Sequence, residues 1–193
     1  MSIGIYAPVI GYFLGLSLSA PPGPVNAIIM NESRKSVLHG TSVGAGAATA
    51  DLIFLTVLFM IRGIIPEWAF KYLYIVGAAY MLYLAYSVLK SKMPSKSRKG
   101  NYLIGLSMGI SNPFQILWWV TAGFFLIERL ELISVIFFFL GILTWIVLFP
   151  LAMNRLGRSH ENIIKVFSFV VLISFSLLMI YFGIRPFLEG HSI

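Results

Sequence analysis

Apolar residues in this chain come in long runs separated by short polar stretches, without the alternation expected of barrel strands. Six runs predict membrane-spanning helices near residues 10–31, 40–61, 72–89, 102–127, 132–153 and 166–184. Each is close to the ~20 residues that a helix needs to cross a bilayer. Residues 1–9, with Pro8, read as a peripheral lead-in. Two runs are interrupted. The first, uncharged from residue 3 to 30, holds Ser19-Ala20-Pro21-Pro22-Gly23-Pro24-Val25-Asn26 where a spanning helix should be unbroken. The fourth holds Ser111-Asn112-Pro113. Proline removes an N–H and clashes with the preceding turn. Unsatisfied carbonyls in hydrocarbon are costly, so broken backbone at membrane depth persists where protein buries it or where it lines a polar cavity. A plain proline kink is the simple reading, and a transporter-type binding break is the sharper one.

The pattern repeats. Gly15-Leu16-Ser17-Leu18 returns 90 residues later as Gly105-Leu106-Ser107-Met108, and each copy precedes a break. The predicted second and fifth spans start 92 residues apart and the third and sixth 94 apart. Residues 10–89 and 102–184 therefore read as two three-helix repeats joined by a basic linker, 90–101. Three spans per repeat is an odd number, so the second repeat crosses in the opposite sense. A site is expected where the two broken helices meet near the midplane. The whole chain is one all-α membrane domain.

Composition supports this class. Of 193 residues, 59% are hydrophobic and 11% charged, with a mean hydropathy of +0.90. That is too apolar for a soluble domain. The net charge of +7 comes from Lys and Arg in short loops, which suits topology rather than nucleic acid. The loops after spans one, three and five carry ten Lys and Arg, and the opposite side four. This bias puts the former in the cytoplasm and both termini outside a plasma membrane. The linker, rich in Lys and Ser, reads as a flexible topology anchor, with anionic lipid headgroups as its alternative partner. No positive region precedes the first apolar run, as a cleaved signal peptide would require. There is no cysteine, which excludes disulfides and thiolate metal sites.

Of the seven acids, only Asp51 lies mid-span. A carboxylate there costs roughly 2.5–3.5 kcal/mol on insertion scales, and intramembrane acids are functional by default. No Lys or Arg lies at matching depth, and burial disfavours the charged form. Asp51 is therefore the candidate proton carrier, against a structural role bonded to Thr49, Asn26 or a tyrosine. Gly40, Gly44 and Ala48, spaced by four, predict close helix packing inside the bundle or a homodimer face. After each break a half-helix begins with free N–H groups, so residues 24–30 and 113–120 offer two ends for a carboxylate. Carbonyls near Ala20–Pro22 and Ser111–Asn112 would take an ammonium group. Asn26, Asn112 and Gln115 add neutral donors and acceptors. Trp118 and Trp119 follow the second break. Tyr80, Tyr83 and Tyr86 share one face of span three and either line the path or pack. His39, His160 and His191 lie in loops or the tail without metal-ligand spacing, and no catalytic motif occurs.

Together, Ala20-Pro21-Pro22-Gly23-Pro24, the Gly-rich span ending in Asp51, Gly77-Ala78-Ala79-Tyr80-Met81-Leu82-Tyr83-Leu84 and Asn112-Pro113 resemble the LysE/RhtB family of amino-acid exporters. The resemblance covers nearly the whole chain. It implies a six-helix secondary exporter, not an enzyme, driven by the proton gradient and needing no cofactor. It gives candidate roles to Pro22, Gly23, Pro24, Asp51, Tyr80, Asn112 and Pro113. Many members carry a lysine after Asn-Pro where this chain has Phe114, which implies a more apolar amino acid or another small solute. One membrane carboxylate without Cys or membrane His makes a poor metal site. The reading is export of a small zwitterion by proton antiport, with Pro22, Gly23, Pro24, Asn26, Tyr80, Asn112, Pro113 and Gln115 at the substrate. The alternatives are a non-transporting subunit of a larger membrane complex, docking by the Gly40/Gly44/Ala48 face and the basic loop, and a passive channel.

Overall fold

Prolines and small polar caps set the helix boundaries. The computed structural model describes residues 6–90, 100–130, 132–156 and 161–188. Helices α1 (Ala7–Ser19) and α2 (Pro24–Ser33) form a broken pair bent by 82°. Next come α3 (Val37–Ile61), a 3-10 turn at Arg62–Ile64, and α4 (Glu67–Lys90). Helix α5 (Tyr102–Ser111) breaks into α6 (Pro113–Trp118), which continues through a π turn (Trp119–Gly123) into α7 (Phe124–Arg129). The bend at this second break is 57°. Helices α8 (Leu132–Leu156) and α9 (Glu161–Leu188) complete the bundle, and no strand occurs among the described residues. Ser36 and Asn101 cap α3 and α5, accepting from the His39 and Ile104 N–H groups at 3.2 and 3.0 Å. Four helices are long and apolar enough to cross a membrane, or six spans if each bent pair counts as one.

The expected spans fall in the right places, but the helices outrun them. Helix α4 starts at Glu67, before Lys71, and α9 starts at Glu161, before Lys165. A charge ends an apolar run without ending a helix, because a long side chain bends its head toward the interface. Lys71 does this beside aromatics, its ammonium 4.6 Å from the centre of the Phe187 ring. Helix α1 already begins at Ala7, so the expected lead-in is shorter. The linker residues 91–99, with the anchoring and lipid roles expected of them, lie outside the described residues, as do His160 and His191.

Three helix pairs make the frame, namely α1 with α8, α3 with α5, and α4 with α9. The first two depend on missing side chains. A Cβ on Gly15 would strike the Phe138 carbonyl, and one on Gly141 the Tyr12 carbonyl. In the other pair, a Cβ on Gly105 would strike the Val43 carbonyl, and one on Gly46 the Tyr102 carbonyl. Gly40 and Gly44 are likewise filled from inside the chain, by Ser33 and Pro150 and by Ile146. The core holds Tyr74, Trp118, Trp119, Phe124, Phe125 and Phe138. Large apolar side chains such as Leu52, Val57, Leu143, Val147, Val170 and Leu177 point outward, as a lipid-facing surface requires. Glu32, almost fully buried, ties the end of α2 to the start of α5. It accepts from the Gly100 N–H at 3.0 Å and from the Lys35 ammonium at 2.6 Å.

Candidate functional site

A chain that breaks at membrane depth must re-pair its freed backbone groups. At the first break Asn26 does so. Its Nδ2 donates to the carbonyls of Ser19 at 2.6 Å and Pro21 at 2.8 Å. Its Oδ1 accepts from the Trp145 indole of α8 at 3.1 Å. Gly23 precedes α2 in an extended conformation with no side-chain cap, and Pro24 follows at the first helical position. The next N–H groups of α2 thus begin the half-helix without a side-chain acceptor. The second break differs. Asn112 caps its own half-helix, its Oδ1 accepting from the Phe114 N–H at 3.1 Å, and Pro113 follows it. Tyr80 of α4 donates to the Phe114 carbonyl at 2.8 Å.

Asp51 stands on α3 opposite the second break. Its Oδ1 accepts from Gln115 Nε2 at 2.6 Å and from the Trp119 indole at 2.8 Å. Nothing among the described residues donates to its other oxygen, and no described cation pairs with it. The side chain is only 4% exposed. None of the partners expected for it is used. Thr49 donates to the Ala45 carbonyl and accepts from Tyr102, and Asn26 is taken up by the first break. Gln115 and Trp119 are four residues apart, so helical spacing was the signal that could have found them. The π turn that starts at Trp119 is a local irregularity common at functional sites. Trp119 is held by Trp118 and Phe138, both rings edge-on to it.

The two breaks meet at two adjoining cavities. The smaller, about 70 Å³, contains Asp51, Asn26, Trp145, Ser19 and Ala47 among its walls. The larger, about 280 Å³, reaches toward α4 and is walled by Leu84, Ser87, Val88, Phe114, Trp118 and Pro22. Leu18, Pro21, Gly23, Pro24, Asn112 and Gln115 line both. The expected site residues thus gather here, except that Tyr80 and Pro113 line neither cavity and act behind the wall. The Trp118 indole N–H is buried without a hydrogen-bond partner among the described residues. Tyr83 and Tyr86 are exposed and lie away from both cavities. No group of metal-binding side chains occurs among the described residues.

A profile of the LysE type translocator family matches residues 16–190. A protein named for amino acid efflux, YcgF of Bacillus subtilis (strain 168), is 27% identical over 192 residues, covering 88% of this chain and 91% of the relative. No solved structure matches.

Proposed function

The chain belongs to the LysE type translocator family, which makes it a multi-pass membrane transporter and not an enzyme, and we propose that it exports amino acids or related small zwitterions across the plasma membrane by proton antiport. One observation carries the mechanism. Among the described residues, Asp51 is the sole acid on the walls of the two cavities, with one oxygen fixed by two donors and the other given none. The fixed oxygen sets the carboxylate's orientation, and the free one takes a proton or a cargo ammonium group. The two cannot share it, and mutually exclusive occupancy is what antiport requires. The carbonyls of Ser19 and Pro21 are engaged by Asn26, and Asp51 is the one full negative charge that the described walls offer to an ammonium group. The α2 N-terminus, with its uncapped N–H groups and positive dipole end, receives the cargo carboxylate. The name of the Bacillus subtilis relative supports amino acids as the cargo class.

The two halves act as inverted repeats, and their packing supports that reading. The Gly15–Phe138 and Gly141–Tyr12 approaches have counterparts in Gly105–Val43 and Gly46–Tyr102. Glycine 15 and Tyr12 are each 90 residues from their counterparts, as in the Gly-Leu-Ser match. Rocking one repeat against the other would open the site to each side in turn. The subunit alternative loses the small-residue face it relied on, since Gly40 and Gly44 are packed inside the chain. The test is efflux from proteoliposomes loaded with mixed amino acids, with and without an imposed pH gradient. Saturable, gradient-driven efflux is expected. No amino-acid flux would refute the reading, and flux without saturation or proton coupling would establish the channel.

A further inference from the structure

Only one of the two cavities is built for charge. The smaller holds the carboxylate, and the larger has no charged residue on its walls. The two share the break residues as a common wall, so a molecule held at Asp51 lies next to the larger space. Gly23, on that common wall, is not crowded: a Cβ there would meet no atom closer than 3.9 Å. An apolar cavity of ~150 Å³ admits a benzene ring, and the larger cavity here measures about 280 Å³. We infer that this cavity is the side-chain pocket of the transporter and selects large apolar amino acids, with Leu84, Ser87, Phe114 and Trp118 setting the preference. The inference rests on the efflux reading above.

The chemistry follows from the walls. A leucine or phenylalanine side chain packs against Leu84, Phe114 and Trp118 and brings no polar group of its own into the space. A lysine, arginine, aspartate or glutamate side chain would enter the same space without a counter-charge, and an unpaired buried charge is strongly disfavoured. Alanine would leave the pocket unfilled. Ser87 is the small side chain on the α4 wall, between Leu84 and Val88, and it can be enlarged into the pocket without changing a residue of either break.

The experiment loads proteoliposomes with equimolar leucine, phenylalanine, alanine and lysine and measures each efflux rate, for the wild type, Ser87→Phe and the milder Ser87→Val. The wild type should export leucine and phenylalanine at least ~10-fold faster than alanine, within the range that apolar pockets achieve, and lysine not at all. Ser87→Phe should cut the leucine-to-alanine ratio tenfold or more, with Ser87→Val between. A wild type that exports alanine or lysine as well as leucine would overturn the inference while leaving efflux intact. An unmoved ratio in both variants, as when a lipid chain fills the cavity, would also overturn it. No flux of any of the four from the wild type would refute the efflux reading itself.

Discussion

At the residue scale, two side chains do different work. Asn26 resembles a binding residue in the sequence, being a polar group beside a break. In the structure all its hydrogen bonds serve the backbone and Trp145. Asn26→Ala would leave two carbonyls and one indole N–H unpaired, at a cost of ~1–3 kcal/mol for each group kept from water. A clear fall in the thermal midpoint of the purified protein is expected. Asn26→Asp keeps the acceptor for Trp145 but has no N–H for the carbonyls, so it should not restore the midpoint. A midpoint unchanged in both would show that the break does not need this clamp. Asp51 was legible as the lone mid-span acid, a matter of composition and position. Its partners were not, because Gln115 and Trp119 lie 64 and 68 residues away in sequence, and only packing brings α3 against the second half. Trp119→Phe keeps a ring against Phe138 and removes one donor. Loss of a hydrogen bond to a charged group, ~1.5–3 kcal/mol, should slow gradient-driven efflux by about tenfold or more. Wild-type rates in this variant would assign the indole a packing role alone.

At the element scale, the breaks were readable from Pro21, Pro22, Pro24 and Pro113, because proline's lost donor and fixed φ act locally. The asymmetry between them was not. Asn112 turns its oxygen back onto the Phe114 N–H, whereas Gly23 has nothing to turn, and side-chain direction is settled by surroundings that a sequence pattern does not contain. The close helix pairs make a sharper prediction. Gly15→Ala and Gly105→Ala each place a methyl group against a backbone carbonyl of the facing helix. Backbone cannot step aside as a side chain can, so both should lower the thermal midpoint and the folded yield. Gly63 has no atom within 4 Å of an added Cβ, and Gly63→Ala should leave the midpoint nearly unmoved, its stability change within the ~0.5 kcal/mol typical of surface changes. Equal behaviour of all three would refute the close approach.

At the scale of the whole molecule, the places of the apolar helices followed from apolar length, while the pairing of α1 with α8 and α3 with α5 had only the small-residue spacing as a hint. The expected orientation rests on the Lys and Arg bias. A chain with no cysteine tests it cleanly. Gly63→Cys should react with an impermeant maleimide on intact cells, and Arg34→Cys only after permeabilisation; the reverse would invert the topology. In the proposed mechanism, one carboxylate at the meeting of two broken helices exchanges a proton for cargo. This exchange is tested most directly by recording the internal pH of proteoliposomes while amino acid is driven across them, for the wild type, Asp51→Glu and Asp51→Asn. A cargo-dependent pH change is expected in the wild type, a weaker one in Asp51→Glu and none in Asp51→Asn. Proton movement that survives in Asp51→Asn would contradict the mechanism.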